Sequence, residues 1–360
     1  MLCKEGKLEE ALGHLNKLLQ NHPETPKLLN LRGVIYLEMS RYSEALVIYK
    51  KIASMRPADI EFKQNLADSY FGLAEEKRKN FDYEQAIMLY KEATSADELM
   101  DSAHQNLGLL LKFKGDIKGA ISSLKMALDI NPANESVQHN LNALLGNKTE
   151  KAPKQHVSDS FDQYAEKFDT HLITELEYKM PVFLRKFTDK IDNRDFFASG
   201  IDLGCGTGIA GSVFNEKVKY FEGIDLSQNM LQLAAQKKIY HKLIREDIET
   251  YLRCSNIKYD LFIASDVFIY VGNLEETFKL ISEKSNKKAI FAFSTEHVEN
   301  DNFKLLPSGR YGHSRRYIQS LISKYKLEEK HFSVEPLRKE KNTWVEGGVY
   351  VLTKDSTQKP

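Results

Sequence analysis

The sequence predicts two domains of different fold class, an N-terminal all-α solenoid and a C-terminal α/β domain with a mostly parallel sheet. Three observations support this prediction. A 34-residue period runs through residues 1–146, a polar segment follows, and strand-like and helix-like segments then alternate around a glycine-rich turn at 202–208. The expected boundaries are therefore 1–146 for the solenoid, 147–160 for a linker and 161–355 for the α/β domain.

Composition excludes several classes of partner. The 51 basic and 51 acidic residues cancel, so charge gives no case for nucleic acid or an anionic membrane. No apolar run approaches the roughly 20 residues of a membrane span, and we expect a cytoplasmic protein. Cys3, Cys205 and Cys254 lack the C-x-x-C spacing of metal or redox sites. We therefore expect neither a disulfide framework nor a metal site.

The repeats are spaced regularly except for one insertion. Pro23 and Pro57 are 34 residues apart, whereas Pro57 and Pro132 are 75 apart, which is two periods plus seven. The extra residues lie around 72–81, a charged helix-forming stretch that should lengthen one helical hairpin by about two turns. This pattern resembles tetratricopeptide repeats (TPR), of which we count about three and a half.

Three asparagines occupy the same position of the repeat. Asn65, Asn106 and Asn140 are separated by 41 residues, one period plus the insertion, and then by 34. In the TPR family this position faces the concave groove, where an amide can both donate to and accept from an extended peptide. The resemblance implies a protein or peptide partner in that groove. The alternative is that the three amides hydrogen-bond within the stack.

The second half alternates strands with helices, which is typical of an open parallel sheet with crossover connections. The predicted strands are Ile201–Leu203, Tyr220–Ile224, Lys242–Ile244, Tyr259–Ser265, Ala289–Ser294, Glu328–Val334 and Gly348–Leu352. The predicted helices are Ile209–Glu216, Gln228–Lys238, Leu274–Lys284 and Ser314–Lys324. No helix separates the last two strands, so they should form an antiparallel hairpin.

The glycine-rich turn indicates what the domain binds. It reads Asp202-Leu203-Gly204-Cys205-Gly206-Thr207-Gly208 and joins a strand to a helix start, whose free N–H groups can contact a ligand. A dinucleotide-binding fingerprint would need its third glycine at position 209, where this chain has isoleucine. The turn therefore does not match that fingerprint. Asp225 ends the second strand, where a carboxylate can accept both hydroxyls of a ribose.

With Leu226 and Met230 after Asp225, the pattern resembles the class I S-adenosylmethionine (SAM) methyltransferases. That resemblance implies SAM as the cofactor and a Rossmann-like sheet of seven strands with the last one reversed. The whole chain resembles bacterial proteins that join TPR repeats to such a domain and whose substrate is undefined.

The resemblance also implies further site residues. Asp247 and Ile248 should lie by the adenine, although Asp247 alternatively caps a helix. Ser265 and Asp266 should line the methionine part of SAM and the acceptor, with Asp266 orienting the sulfonium or the acceptor. Tyr270 is a further catalytic candidate, and it fits the core equally well.

Two other segments are candidates for contact with the substrate. Tyr164 and Phe168 lie on a helix that is expected to begin at Phe161, and they either close over SAM as a lid or belong to a covering helix. Arg310 and His313 follow the fifth strand on the acceptor side, where His313 could act as a base. The alternative for 307–314 is a loop without function.

The leading interpretation is a SAM-dependent methyltransferase that acts on an unidentified small molecule or protein and uses its TPR repeats for recruitment. One alternative is a non-catalytic TPR scaffold with a vestigial SAM-binding domain. Another is that bound SAM serves a different reaction, because this fold is not confined to one chemistry.

Overall fold

The computed structural model describes residues 7–21, 24–299, 302–340 and 343–354. The chain divides between Leu141 and Asn142 into two compact units. Within the described ranges, no helix is both long enough and apolar enough to cross a membrane.

The first unit is a series of helices. The helices are α1 Leu8–Asn21, α2 Pro26–Glu38, α3 Tyr42–Met55, α4 Ile60–Lys79, α5 Tyr83–Ala96, α6 Asp101–Lys114, α7 Ile117–Ile130 and α8 Glu135–Leu145. Helices α1 to α7 each pack against the next, and the last helix, α8, crosses the boundary between the units. Helix α4 has 20 residues where α6 has 14, which confirms that the insertion lengthens one hairpin.

Small residues let the paired helices of this unit approach closely. A Cβ added at Gly33 would lie 2.6 Å from Cζ of Tyr49, and one added at Gly108 would lie 2.8 Å from Cγ of Leu124. Tyr49 and Leu124 are fully buried. A larger side chain at either glycine would therefore push the two helices of its repeat apart.

The second unit is an α/β fold. Its helices are α9 Lys154–Thr170, α10 Met180–Ile191, α11 Ile209–Phe214, α12 Gln228–Gln236, α13 Ile248–Cys254, α14 Glu275–Lys284 and α15 Arg315–Lys324. Its strands are β1 Phe197–Leu203, β2 Val218–Asp225, β3 Lys242–Arg245, β4 Tyr259–Ala264, β5 Ser285–His297, β6 Phe303–Leu305, β7 Tyr311–His313, β8 Leu327–Glu340 and β9 Thr343–Lys354.

The sheet has the order β3-β2-β1-β4-β5-β7-β6, and β9 pairs with β5 and β8. Strands β1 to β5 are parallel, whereas β9 runs antiparallel to β5 and forms the predicted antiparallel hairpin with β8. Because β1 is central, the carboxyl ends of β1, β2 and β4 meet at one edge, where ligands of such sheets bind.

Helices cover both faces of the sheet. Alternate residues of β4 belong to opposite cores: Phe262 packs with residues of α14 and α15, and Leu261 packs with residues of α10 and α11. The parallel strands are buried on both sides, as their apolar sequences require.

Two segments differ from the prediction. Helix α9 begins at Lys154 rather than Phe161, so part of the predicted 147–160 linker is helical. The polar composition of this segment reflects its exposed face, while Ser158 is buried. The predicted loop at 307–314 contains β7, which pairs with β6 in a short hairpin that was too brief to show an alternating pattern.

Candidate functional site

A cavity of about 450 Å³ lies at the carboxyl edge of the sheet. This volume is in the range of small-molecule sites. Many of the predicted site residues line it: Tyr164, Phe168, Gly204, Cys205, Gly206, Thr207, Asp225, Leu226, Asp247, Ile248, Ser265, Asp266, Tyr270 and Arg310. The predicted residues that do not line it are Asp202, Leu203, Gly208, Met230 and His313.

The glycine turn forms one wall of the cavity. Gly204, Gly206 and Gly208 all have left-handed backbone, with φ of 66°, 52° and 87°. A Cβ added at Gly204 would lie 2.6 Å from Val267, so packing excludes a side chain there. At Gly206 an added Cβ would meet only Phe168, at 3.9 Å. Gly206 therefore leaves its backbone open to a ligand in the cavity.

Asp225 ends β2 beside this turn. Its Oδ2 accepts from the N–H of Gly206 at 2.8 Å, and its Oδ1 accepts from the N–H of Ser227 at 2.8 Å. Burial raises the pKa of Asp225, and these two backbone bonds act in the opposite direction. A carboxylate has about four acceptor positions, so each oxygen keeps one for a ligand. By contrast, Met230 is fully buried in the core below.

Asp202 does not line the cavity and contacts the glycine turn indirectly. It is buried, and its Oδ2 accepts from the hydroxyl of Tyr240 at 2.6 Å, while its Oδ1 has no hydrogen-bond partner. Burial raises the pKa of Asp202 to about 7. The acid that precedes the first glycine is thus tied to the turn through Tyr240.

This shift predicts how stability depends on pH. Between about pH 4 and 7 the folded protein holds the Asp202 proton that the unfolded chain releases, so the free energy of unfolding falls as pH rises and levels off above 7. Asp202→Asn does not titrate. The free energy of unfolding of Asp202→Asn minus that of wild type should therefore increase from pH 5 to 7 and stay constant above pH 7. Urea unfolding at each pH measures this difference. A pH-independent difference would contradict the assignment.

Asp247 is a helix cap, as the alternative prediction has it, and it also lies at the cavity. Its Oδ1 accepts from the N–H and the hydroxyl of Thr250, each at 3.1 Å, so it is the N-cap of α13. It also lines the cavity, and Lys154 lies 3.6 Å from its Oδ2.

Asp266 follows β4 in an unusual backbone conformation. Its φ is +60°, and its N–H donates to Oγ of Ser294 at 2.9 Å. Its Oδ2 accepts from Nη1 of Arg338 at 2.6 Å, whereas its buried Oδ1 has no partner. The neighbouring Ser265 shares a hydrogen bond of 2.6 Å with the hydroxyl of Tyr178.

Arginines from distant segments complete this wall. Arg338, on β8, lines the cavity and was not expected from the sequence. It pairs with Asp266, Glu296 and Glu340. Arg310 also pairs with Glu340 and lies 3.8 Å from Glu296.

The structure corrects the prediction for His313. This residue is fully buried in β7, and its Nε2 lies 2.9 Å from the carbonyl of Val271 and 3.0 Å from that of Gly272. Nε2 therefore donates its proton to carbonyls, and burial lowers the pKa of His313 to about 4. A buried ring outside the cavity lining is a structural residue, not a base for the acceptor.

Helix α9 closes the cavity with aromatic side chains. The rings of Tyr164 and Phe168 are 5.4 Å apart, and Phe161 packs edge-on against Phe168 at 5.9 Å. The hydroxyl of Tyr164 hydrogen-bonds with Nδ1 of His171, which also lines the cavity.

Two aspartates tie α9 to the segments that follow β1 and β2. Asp169 accepts from the hydroxyl of Thr207 and from Lys237 at 2.7 Å. Asp162 accepts from the hydroxyl of Ser227 and from the N–H of Asn229 at 3.0 Å. The seven-residue spacing of the two acids places them on one face of the helix, and it was the signal in the sequence that could have identified them.

The three repeat asparagines donate within the first unit. Nδ2 of Asn65 donates to Asn30 at 3.1 Å, that of Asn106 to Glu75 at 2.9 Å, and that of Asn140 to the carbonyl of Ser136 at 3.0 Å. The contacts of Asn65 and Asn106 join two helices and favour the alternative in which the amides brace the stack, whereas that of Asn140 lies within α8.

Asn106 should then contribute to stability. Asn106→Ala removes a donor from the half-buried Glu75, so we expect the free energy of unfolding to fall by about 1 kcal/mol. Urea unfolding followed by circular dichroism measures this change, with the exposed Lys125→Ala on α7 as the control. Equal stability of the Asn106 variant and wild type would show that the amide is not a brace.

No group of three or more histidine, cysteine or acidic side chains among the described residues is arranged to hold a metal ion.

Comparison with known proteins identifies both halves of the chain. A family model described as a methyltransferase domain matches residues 198–332, and one described as a tetratricopeptide repeat matches 26–59, 67–98 and 101–134. Among curated proteins, human tetratricopeptide repeat protein 16 is 23% identical over 149 residues, which is 40% of this chain and 17% of that protein. A probable 18S rRNA (guanine-N(7))-methyltransferase of Dictyostelium discoideum is 38% identical over 48 residues, 13% of this chain and 17% of that protein.

Solved structures of low sequence identity resemble the second unit. The N-methyltransferase NodS of Bradyrhizobium japonicum, in complex with S-adenosyl-L-homocysteine (SAH), is 12% identical with a TM-score of 0.46, covering 55% of this chain and 98% of that one. Magnesium protoporphyrin IX methyltransferase of Synechocystis, with bound SAM, is 14% identical with a TM-score of 0.42, covering 56% and 97%. The chain spans less than a third of the length of the curated relatives it matches. The two family matches show that the chain joins tetratricopeptide repeats to a methyltransferase domain.

Proposed function

We propose that the second unit binds SAM and transfers its methyl group to an acceptor. The observation that carries this proposal is the meeting of Gly206 and Asp225 at the cavity. Gly206 offers open backbone, and each oxygen of Asp225 keeps an acceptor position for a ribose hydroxyl.

The cavity wall fits an adenosyl group without a pyrophosphate. Residues 204–207 would hold its sugar and methionine end, Leu226 and Ile248 would contact the adenine, and Asp247 would lie by the adenine amino group. Because Ile209 stands where a dinucleotide fingerprint has glycine, a second nucleotide does not fit this turn.

SAM supplies an activated methyl group on a positively charged sulfur, so the protein has only to align the acceptor and exclude water. Alignment to about 3–3.5 Å accounts for much of the barrier reduction in such displacements. Here α9 covers the cavity with Tyr164 and Phe168, while Ser265 and Asp266 form the opposite wall. The proposal assigns water exclusion to α9 and orientation of the acceptor to Asp266.

We also propose that the TPR repeats recruit a protein, which is either the acceptor or its carrier. The surface that carries Asn65, Asn106 and Asn140 is the proposed site of this contact.

Isothermal titration calorimetry with the full chain tests the proposal. SAM and SAH should bind with one-to-one stoichiometry, and NAD at the same concentration should give no heat of binding. Comparable affinity for NAD, or no binding of SAM, would overturn it.

A further inference from the structure

The two arginines on the far wall of the cavity are already paired with carboxylates. Arg310, Arg338 and Asp266 line the cavity, whereas Glu296 and Glu340 pair with the arginines from outside the lining. Arg338 also pairs with Asp266, so each arginine lies within ion-pair distance of at least two carboxylates. An anionic acceptor would therefore meet guanidinium groups whose charge is already compensated.

One carboxylate oxygen in this wall has no partner. Asp266 Oδ1 is buried and accepts no hydrogen bond, although Oδ2 is fixed by Arg338. The left-handed φ of Asp266 costs conformational energy for a non-glycine residue, and such strain is concentrated at functional sites. A buried acceptor without a donor is unfavourable unless a ligand supplies one.

Aromatic side chains line the same cavity as Asp266. Tyr270 packs against Phe161 at 5.4 Å, and Phe161 packs against Phe168. Tyr178 and Tyr270 both line the cavity, and the hydroxyl of Tyr178 shares a hydrogen bond of 2.6 Å with Oγ of Ser265, the residue before Asp266. Aromatic faces attract cations, most strongly when water is excluded.

We propose that the methyl acceptor is an amine, which donates an N–H hydrogen bond to Asp266 Oδ1 beside the rings of Tyr178 and Tyr270. This inference rests on the proposed function and names its substrate class. Asp266 is then a catalytic residue, because it touches the nucleophile.

An amine that arrives as an ammonium ion first releases one proton to bulk water, because only the neutral form has a lone pair for attack. The lone pair of the neutral amine nitrogen forms the new N–C bond as the S–C bond breaks, and the electrons of that bond stay on sulfur, leaving neutral SAH. Positive charge moves to nitrogen, where the carboxylate of Asp266 stabilises it as it develops. The methylated ammonium product loses its proton to water after release. A hydroxyl acceptor would instead have to lose its proton during attack.

Three probes of similar shape and different charge test the inference: benzylamine, benzyl alcohol and benzoate. Their binding to the full chain saturated with SAH is measured by ligand-observed NMR, after calorimetry has shown that SAH binds. Benzylamine should bind at least tenfold more tightly than either of the others. Equal binding of the alcohol, preference for benzoate, or binding of none of the three overturns the inference and leaves the proposed function standing. Failure of SAH to bind overturns the proposed function itself.

Two variants locate the preference at Asp266. Asp266→Asn should lose the preference for the amine when it is measured at an SAH concentration that saturates this variant, and thermal unfolding checks that the variant is folded. Asp260→Asn, at the opposite end of β4, is the matched control and should keep the preference. If Asp266→Asn keeps the preference, Asp266 is not the contact. The ranking of the three probes in the wild-type protein decides the inference even where a variant folds poorly.

Discussion

Gly211→Ala should destabilise the α/β unit by about 3 kcal/mol, the upper end of the usual cost of overpacking. A Cβ at this position would lie 2.1 Å from the hydroxyl oxygen of Tyr240 and 2.4 Å from its Cζ. Tyr240 cannot move aside, because its ring also packs on Gly208 and Gly223 and its hydroxyl donates to Asp202. Urea unfolding followed by the fluorescence of Trp344, the one tryptophan of the chain, measures the loss in this unit.

A second substitution tests whether Tyr240 is the cause. In a Tyr240→Leu background the clash is absent, so Gly211→Ala should cost much less than it does in wild type. The two effects are then non-additive, as expected for residues in contact. Additive losses would show that Gly211 is required for another reason.

Asp225→Ala should weaken SAM binding by about 2–3 kcal/mol, roughly 30- to 150-fold, the scale of hydrogen bonds to a charged group. The variant removes the proposed acceptor of the ribose hydroxyls and also releases the N–H groups of Gly206 and Ser227. Calorimetry measures the affinity. An unchanged affinity would remove Asp225 from the site.

A modified ligand separates the ribose contact from a general disturbance of the turn. A SAM analogue without ribose hydroxyls should bind wild type weakly and should lose little more in Asp225→Ala. If the variant weakens the analogue as much as it weakens SAM, the loss comes from the turn and not from the hydroxyls.

The features that depend on residues close together in the sequence could be predicted from local sequence patterns. The repeat period predicted paired helices because each repeat has the same packing requirement. The glycine spacing predicted the turn because left-handed φ favours glycine, and all three glycines have it. Asp225 could be assigned to the binding edge of the sheet because it is the last residue of a parallel strand, and the ends of such strands meet at that edge.

Features that depend on long-range contacts were not predictable in this way. Arg338 reaches Asp266 from 72 residues away, and no local pattern marks that pair. His313 looked reactive in a glycine-containing segment, but the pairing of β7 with β5 buries it. The role of Asp202 depends on Tyr240, which lies 38 residues further along the chain.

The attachment of α9 has a consequence for turnover. Its two aspartates bond to Thr207, which follows β1, and to Ser227, which follows β2, and its aromatic rings line the cavity. Spent cofactor then leaves only when these bonds break, so its residence time is set by the opening of one helix. Rapid-quench kinetics should show a burst, in which the first methyl transfer is faster than all later cycles.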